Sequence, residues 1–182
     1  MIGSAAVLLR EHGVDGTSFS RVLELSGAPR GSIYHHFPGG KSQLVEEATR
    51  YAGDLISAGL AAALGSQSPV TALGTFGDTW KAVLEEYDFR AGCPVVAATL
   101  SDEPDARRAA AQAFRSWQDH LAEALRSNHV EHARARRVGT MCVAAMEGAI
   151  VMARAERSIE PLLDVVEELQ DLVTTCLSAP RA

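Results

Sequence analysis

The segment from Gly27 to Lys41 constrains this chain most, because it predicts a short helix with a marked beginning and end. Pro29 suits the first helical position, since its ring fixes φ and its missing N–H would have no partner there. Pro38 and the two glycines after it end the helix after about two turns. Ile33 and Phe37 lie four residues apart and form an apolar stripe. The other faces carry donors or small residues: Arg30, Gly31, Ser32, Tyr34 and His35.

Two more helices are predicted ahead of this one. Apolar residues keep helical spacing from Ile2 to Leu9, and the turn cluster 13–16 follows that helix. Thr17 or Ser18 is expected to cap the second helix, which Gly27 ends. The inward face of the second helix consists of Phe19, Val22 and Leu23. This order is a helix-turn-helix layout, in which the second helix of the pair enters the major groove of DNA.

The order and spacing of these residues resemble a known pattern. The residues that carry the resemblance are Gly13, Thr17, Ser18, Gly27, the run from Arg30 to Phe37, and Lys41. They resemble the DNA-binding region of the tetracycline-repressor (TetR) family of one-component transcriptional regulators, over about the first fifty residues. Residues 38–41 and 91–94 add a weaker likeness to the branch that contains regulators of antibiotic-resistance and multidrug-efflux genes.

The resemblance implies a set of DNA contacts. Thr17 and Ser18 would touch phosphate where the second helix begins. The groove would be approached by Arg30, Gly31 and Ser32, with His35 at a position where the family varies. The backbone would be held by Tyr34 and His36, and Lys41 would meet a phosphate from the start of the fourth helix. Two of these contacts are also expected from the residues alone. Lys41 lies near a helix N-terminus, which favours a phosphate contact, and the forked donors of Arg30 match O6 and N7 of guanine.

The charge pattern agrees with a DNA-contacting surface at this end of the chain. The formal net charge is −6, but residues 1–50 carry five basic and five acidic side chains. No Asp or Glu occurs from Leu25 through Val45, so the surface around the donor-rich helix is predicted to be locally positive. Electrostatics alone predict modest affinity, which dimerisation would reinforce. Members of the family carry a basic arm before the first helix, and Met1-Ile2-Gly3 has no such residues, so the arm is either absent or trimmed.

The sequence as a whole predicts an all-α fold of about nine helices. A three-helix helix-turn-helix domain is predicted over residues 1–45. A helical effector-binding and dimerisation domain is predicted over residues 46–182, joined to the first by a continuous helix. The six later helices are expected over 42–64, 70–87, 94–100, 104–128, 133–157 and 160–177.

The last two helices carry the pattern of a bundle. On the final helix an apolar residue recurs every three or four positions, at Leu162, Val166, Leu169, Val173 and Leu177. The helix before it offers small residues for close approach: Ala144, Ala145, Gly148 and Ala149. The pattern fits packing inside one chain as well as packing against a second copy. The resemblance favours a homodimer with a four-helix interface.

An effector site is predicted from aromatic and sulfur-containing side chains. A mainly apolar cavity for a flat, hydrophobic small molecule would have Trp80 and Trp117 as walls and Gln118 or His120 as polar anchors. Its other predicted members are Phe76, Phe114, Met141, Cys142, Ala145 and Met146. The same pattern also describes plain core packing, because cores use aromatic bulk and methionine fills gaps.

Catalysis, a cofactor and a metal are not expected. Gly40-Lys41-Ser42 imitates the end of a phosphate-binding loop, but His35 stands where that loop needs glycine, and a helix precedes it. His129 and His132 do not complete a tetrahedral metal site. Three cysteines without paired spacing suit a reducing cytoplasm, and no apolar run approaches the ~20 residues of a membrane span.

The prediction is therefore a cytoplasmic, ligand-responsive transcriptional regulator, by default a repressor. It would bind a palindromic double-stranded operator as a dimer and be released by a small hydrophobic molecule. The alternative is a helical module that does not bind DNA, either a small-molecule-binding protein or a scaffold. The sequence identifies neither the operator, nor the regulated gene, nor the effector.

Overall fold

The computed structural model describes residues Met1–Ser178, and within them every regular element is a helix. The nine helices are α1 (Ile2–His12), α2 (Phe19–Ser26), α3 (Ser32–His36), α4 (Gly40–Ser66), α5 (Pro69–Glu86), α6 (Pro94–Thr99), α7 (Pro104–Ser127), α8 (His132–Glu156) and α9 (Glu160–Ser178). The predicted all-α class and the helix count are confirmed. From α4 onward every predicted boundary lies within two residues of the observed one.

The helix-turn-helix region is bounded as its turn residues predict. Gly13 follows α1, and its N–H donates to the carbonyl of Leu9 at 3.0 Å. Ser18 caps α2, where its Oγ accepts from the N–H of Arg21 at 3.4 Å. Gly27 ends α2 in the left-handed conformation, with φ 66°. Side chains strain the backbone in that conformation, whereas glycine adopts it readily.

The third helix is shorter than predicted and begins later. Pro29 is not its first residue, because α3 starts at Ser32 and has five residues. The N–H of Ser32 donates to the carbonyl of Pro29 at 3.0 Å, an i→i+3 bond that makes the segment before α3 a tight turn. Ile33 and Phe37 are both buried, as predicted.

Side-chain caps define where the later helices begin. The Oε1 of Gln43 accepts from the N–H of Gly39 at 2.7 Å ahead of α4. Ser68 caps α5, whose first residue is Pro69. Glu131 caps α8, and its carboxylate accepts from the N–H groups of Ala133 and Arg134 at 2.7 and 2.8 Å. These two hydrogen bonds hold the pKa of the Glu131 carboxyl below its usual value of 4.5.

Residues 1–56 and 90–113 form one compact unit. Its core includes Leu9, Ile33, Leu44, Val45 and Val95, all fully buried. Hydrogen bonds join distant segments within this unit. The N–H of Gly92 donates to the carbonyl of Arg10 at 2.9 Å, and the Oγ of Ser42 donates to the Oε2 of Glu103 at 2.7 Å.

Two large side chains of α4 are exposed. The helical spacing of apolar residues over 42–64 makes Tyr51 and Leu55 available for packing, but 47% of Tyr51 and 63% of Leu55 are exposed. Their neighbours Ala48 and Ala52 are buried instead. The apolar arc of α4 is therefore wider than the face that the unit covers.

Residues 57–89, together with the described residues from 114 onward, form a second compact unit. In it α9 packs against both α5 and α8. Glycines allow the closest approaches: a Cβ at Gly77 would lie 2.7 Å from the Cγ2 of Val166, and one at Gly139 would lie 2.8 Å from the carbonyl oxygen of Gln118. Of the predicted apolar positions on α9, Leu162, Leu169 and Val173 are buried within the chain.

The α8 helix is a core helix of this unit. Its length and apolar composition alone would allow it to cross a membrane, which the sequence pattern did not indicate. Eight of its residues are buried inside the protein: Ala135, Val138, Gly139, Cys142, Met146, Ala149, Ile150 and Ala153. Its apolar composition therefore has an explanation in packing.

The predicted domain boundary between residues 45 and 46 lies inside α4, which is continuous there. Both α4 and α7 run from one compact unit into the other. The boundary remains a prediction.

Candidate nucleic-acid interface and ligand cavity

The α3 helix presents its polar side to solvent. Ile33 and Phe37 are 1% and 2% exposed and hold the helix against the rest of the first unit. The exposed residues on and just before α3 are Arg30, Gly31, Tyr34, His35 and His36. Ser32 is half-buried, and its Oγ donates to the carbonyl of Pro29 at 2.6 Å. A Cβ at Gly31 would meet no atom within 4 Å, so the backbone there is open to a close neighbour.

A crevice separates α2 from α3 on this side of the first unit. It has a volume of about 630 Å³ and is lined by Phe19, Ser20, Leu23, Glu24, Ala28, Arg30, Ile33 and Tyr34. The rings of Phe19 and Tyr34 meet edge to face, with centroids 5.7 Å apart and an interplanar angle of 87°. Tyr34 is nevertheless 70% exposed, so most of its ring faces solvent.

The other predicted DNA-binding residues flank α3. Thr17 is fully buried, and its Oγ1 donates to the carbonyl of Gly13 at 2.8 Å. Its side chain supports the turn before α2 and does not reach the surface. Ser18 is half-buried, and its Oγ lies 3.1 Å from the Oγ of Ser20. The Nζ of Lys41 donates to the carbonyl of Asp15 at 3.5 Å, which places the ammonium group beside the turn between α1 and α2.

A small cavity lies in the second unit. It is lined by Leu60, Leu73, Phe76, Trp117, Leu121, Cys142, Val143, Met146 and Glu147 and has a volume of about 20 Å³. Sites for drug-sized ligands have volumes of roughly 300–1,000 Å³. The cavity is therefore too small for an organic effector in this conformation, and such a ligand would require it to expand.

Four of the ten predicted effector residues line this cavity: Phe76, Trp117, Cys142 and Met146. Trp80 and Phe114 do not line the cavity, but each meets a lining ring edge to face. The ring of Trp80 lies 6.5 Å from that of Phe76, and the ring of Phe114 lies 5.2 Å from that of Trp117. Ala145 is half-buried and is not among the lining residues.

Three predicted effector residues lie elsewhere. Met141 is 56% exposed, although its neighbour Cys142 on α8 is buried. The Oε1 of Gln118 accepts from the Oγ1 of Thr140 at 3.1 Å. His120 borders a separate groove of about 350 Å³, and its Nε2 lies 2.9 Å from the Oγ of Ser57, which in turn lies 2.9 Å from the Oγ of Ser116.

The sequence interpretation missed five lining residues. They are Leu60, Leu73, Leu121, Val143 and Glu147. The four aliphatic residues carry no individual signal, because leucine and valine at helical spacing are ordinary core residues. Glu147 did offer a signal in the sequence, because it is an acidic residue inside the apolar stretch of α8. In the structure its Oε2 is buried.

The Cys142 thiol is an unreactive member of the lining. It is 1% exposed, and burial raises its pKa to about 12, with a further increase from the nearby Cys176. Thiolate is the nucleophilic form, so Cys142 contributes to the cavity as a small apolar side chain.

Known protein families match both parts of the chain. The model of the bacterial regulatory proteins of the tetR family matches residues 2–48, and that of the LmrA/YxaF-like transcriptional regulator C-terminal domain matches residues 69–168. A helix-turn-helix (HTH)-type transcriptional regulator of Mycobacterium tuberculosis, uncharacterized, is 39% identical over 181 residues, covering 95% of this chain and 92% of the relative.

Two further proteins are similar over nearly the whole chain. The HTH-type transcriptional regulator LmrA of Bacillus subtilis is 29% identical, covering 95% of this chain and 94% of the relative. The crystal structure of the regulatory protein TetR from Rhodobacter sphaeroides superimposes with a TM-score of 0.82 at 22% identity, covering 93% of this chain and 95% of that chain.

The fold and the exposed α3 thus define a helix-turn-helix transcriptional regulator. The chain belongs to the TetR family, in the branch related to the multidrug-resistance regulators. Regulators of this family bind DNA, act as dimers and are not enzymes.

Proposed function

We propose that this TetR-family regulator is a ligand-responsive repressor that binds a palindromic operator as a homodimer in the cytoplasm. The observation that carries the proposal is the exposed, donor-rich side of α3, seated on Ile33 and Phe37 in a stretch without acidic residues. An α-helix fits the major groove, and side chains on its exposed face reach the base edges.

The proposed DNA contacts divide into two kinds. Arg30 reads guanine, while Gly31, Ser32 and His35 approach the groove beside it. Ser18, Tyr34, His36 and Lys41 contact the phosphate backbone and fix the register. Thr17 supports this surface from inside, because its hydroxyl bonds to Gly13.

The proposed dimer interface is the exposed apolar face of α8 and α9. Its members are Met141, Ala144, Gly148, Val151, Met152 and Leu163, all exposed in the single chain. An apolar patch of this kind on a soluble chain marks an interaction site. Packed against the same face of a second copy, the two helices would form a four-helix interface.

The proposed effector is a small hydrophobic molecule that binds at the cavity around Phe76, Trp117 and Met146. The lining is apolar apart from Glu147, which suits a hydrophobic molecule, and the volume of about 20 Å³ would have to increase to hold one. A molecule that enters must separate these side chains, and it therefore favours a conformation different from the one described. Release from DNA follows if that conformation no longer presents the two copies of α3 at operator spacing.

The test of DNA binding starts from fragments of genomic DNA that the purified protein retains. Wild-type protein is expected to enrich sites with a palindromic sequence. Arg30→Ala should lose this preference while melting at the wild-type temperature, and Tyr34→Ala, which removes a proposed phosphate contact, should retain every fragment more weakly. Arg115→Ala removes an exposed arginine from the second unit and serves as the control. Equal retention of every fragment by the wild type would refute the proposal.

The test of the effector uses the two tryptophans, one of which lines the cavity. A panel of planar hydrophobic compounds is titrated against wild-type protein and against Met146→Trp, which fills the cavity. The expected result is a change of fluorescence and release of bound operator in the wild type only. Equal responses of the two proteins would place the effector elsewhere.

A further inference from the structure

The α3 helix depends on its surroundings for its orientation. With five residues it has little more than one turn, and helices of that length are unstable alone in water. Its two buried anchors, Ile33 and Phe37, secure the inward side. The direction of the outward-facing side chains must be fixed by other contacts.

One such contact is the ring pair between α2 and α3. Phe19 is the first residue of α2, and its half-buried ring meets the ring of Tyr34 edge to face across the crevice. This geometry places the positive edge of one ring against the negative face of the other, which is a favoured arrangement of aromatic pairs. Tyr34 is 70% exposed, and without the contact to Phe19 its side chain would have more rotamer freedom to lose on binding a partner.

We propose that Phe19 is a positioning residue that holds Tyr34 in its DNA-binding orientation. The inference rests on the proposed DNA-binding function and assigns a role to a residue of α2 outside the predicted contact set. Phe19 acts through Tyr34: it holds the ring before DNA arrives, so that less freedom is lost when the complex forms. Removal of Phe19 should therefore weaken DNA binding only while Tyr34 is present.

A double-mutant cycle tests this coupling on a duplex selected by the wild-type protein. Phe19→Ala is expected to weaken binding by about three- to tenfold, the range that an aromatic pair of this geometry supports. In the Tyr34→Ala background the same substitution should cause no further loss. Additive losses would overturn the inference, because they would mean that Phe19 acts independently of Tyr34.

Two variants separate ring geometry from general packing. Phe19→Leu keeps apolar bulk without a ring and should melt close to the wild type yet bind DNA as weakly as Phe19→Ala. Phe19→Tyr keeps the ring and should restore wild-type affinity. Full binding by Phe19→Leu would overturn the inference. If Phe19→Ala does not fold, the cycle is run with Phe19→Leu.

The outcomes also separate this inference from the proposed function. If the wild-type protein selects no duplex, both the repressor proposal and the role of Phe19 are refuted. A wild-type protein that selects a palindrome but shows an additive cycle leaves the repressor proposal in place and removes the role of Phe19 alone.

Discussion

Adjacent residues of α8 show how strongly position on a helix determines chemistry. Cys142 is buried and lines the cavity, whereas its neighbour Met141 is more than half exposed. Successive residues of a helix point about 100° apart, so two neighbours seldom share an environment. For Cys142 the buried environment disfavours the thiolate and raises the pKa to about 12.

The raised pKa of Cys142 predicts a pH dependence of stability on the alkaline side. The unfolded thiol ionises near 9.0, and the folded thiol only near 12. Above pH 9 the unfolded state thus binds fewer protons, and the free energy of unfolding falls by up to about 1.4 kcal/mol per pH unit. Denaturant unfolding from pH 8 to 10.5 should show this fall in the wild type and a shallower one in Cys142→Ala. Parallel curves would contradict the assigned environment.

Alkylation gives a second test at the residue scale. Iodoacetamide at pH 8 should label the half-buried Cys176 in the folded protein and leave the buried Cys93 and Cys142 unmodified. Mass spectrometry of tryptic peptides locates the label, and denaturant should make all three sites reactive. Rapid labelling of Cys142 in the folded state would show that the cavity opens readily.

At the scale of elements, turns and caps determine where helices begin and end. Gly27 has φ 66°, and a Cβ there would meet no atom within 4 Å. A side chain at this position would therefore destabilise the fold only through the strained backbone conformation, not through a clash. Gly59 also has open space around it but lies inside α4. Gly27 and Gly59 thus share open space but differ in backbone conformation, which makes them a matched pair for substitution.

Alanine at these two glycines should have opposite effects. Gly27→Ala is expected to lower the free energy of unfolding by about 1 kcal/mol, since the left-handed conformation penalises a Cβ. Gly59→Ala is expected to raise it by about 0.5–1 kcal/mol, because alanine is the better helix former. Chemical denaturation measures both, and a shift of the same sign in both would contradict the assignment.

The cap of α8 should respond to acid. Because the pKa of Glu131 is lowered in the folded state, its stabilising effect is present above about pH 4.5 and is lost as the pH falls through the folded value. Glu131→Gln should melt below the wild type at pH 7, and the difference should shrink near pH 3. A constant difference would mean that charge at this cap does not matter.

At the scale of the whole molecule, the oligomeric state tests the proposed dimer. The proposed dimer face on α8 and α9 includes Met152, which is half exposed in the single chain. Leu100, 84% exposed in the first unit, is a large apolar residue outside that face. Met152→Glu should give monomers in sedimentation, whereas Leu100→Glu should sediment like the wild type. Dissociation by Leu100→Glu alone would place the interface elsewhere.

Salt dependence tests the phosphate contact proposed for Lys41. The logarithm of operator affinity falls linearly with the logarithm of salt concentration, with a slope set by the number of neutralised phosphates. Lys41→Gln should reduce the magnitude of that slope by about one per bound copy. Lys81→Gln, on α5, should leave it unchanged, and an unchanged slope for both would exclude the contact.

Much of this architecture could be read from the chain because its signals are local. Proline, glycine and capping serines mark most helix ends, and they gave boundaries within two residues from α4 onward. The start of α3 was misjudged because Pro29 is compatible with both a helix and a tight turn. The exposed Tyr51 and Leu55, and the lining residues Leu60 and Leu73, depend on which helices meet, and periodicity along one helix does not contain that information.

Stability and the proposed DNA recognition use opposite sides of α3. Ile33 and Phe37 hold the helix in the core, while Arg30 and His35 stand in solvent and contribute little to folding. After a gene duplication, one copy can therefore exchange its outward residues and acquire a different promoter without passing through a poorly folded intermediate. The inward pair has no such freedom, so evolutionary divergence should concentrate on the outward side.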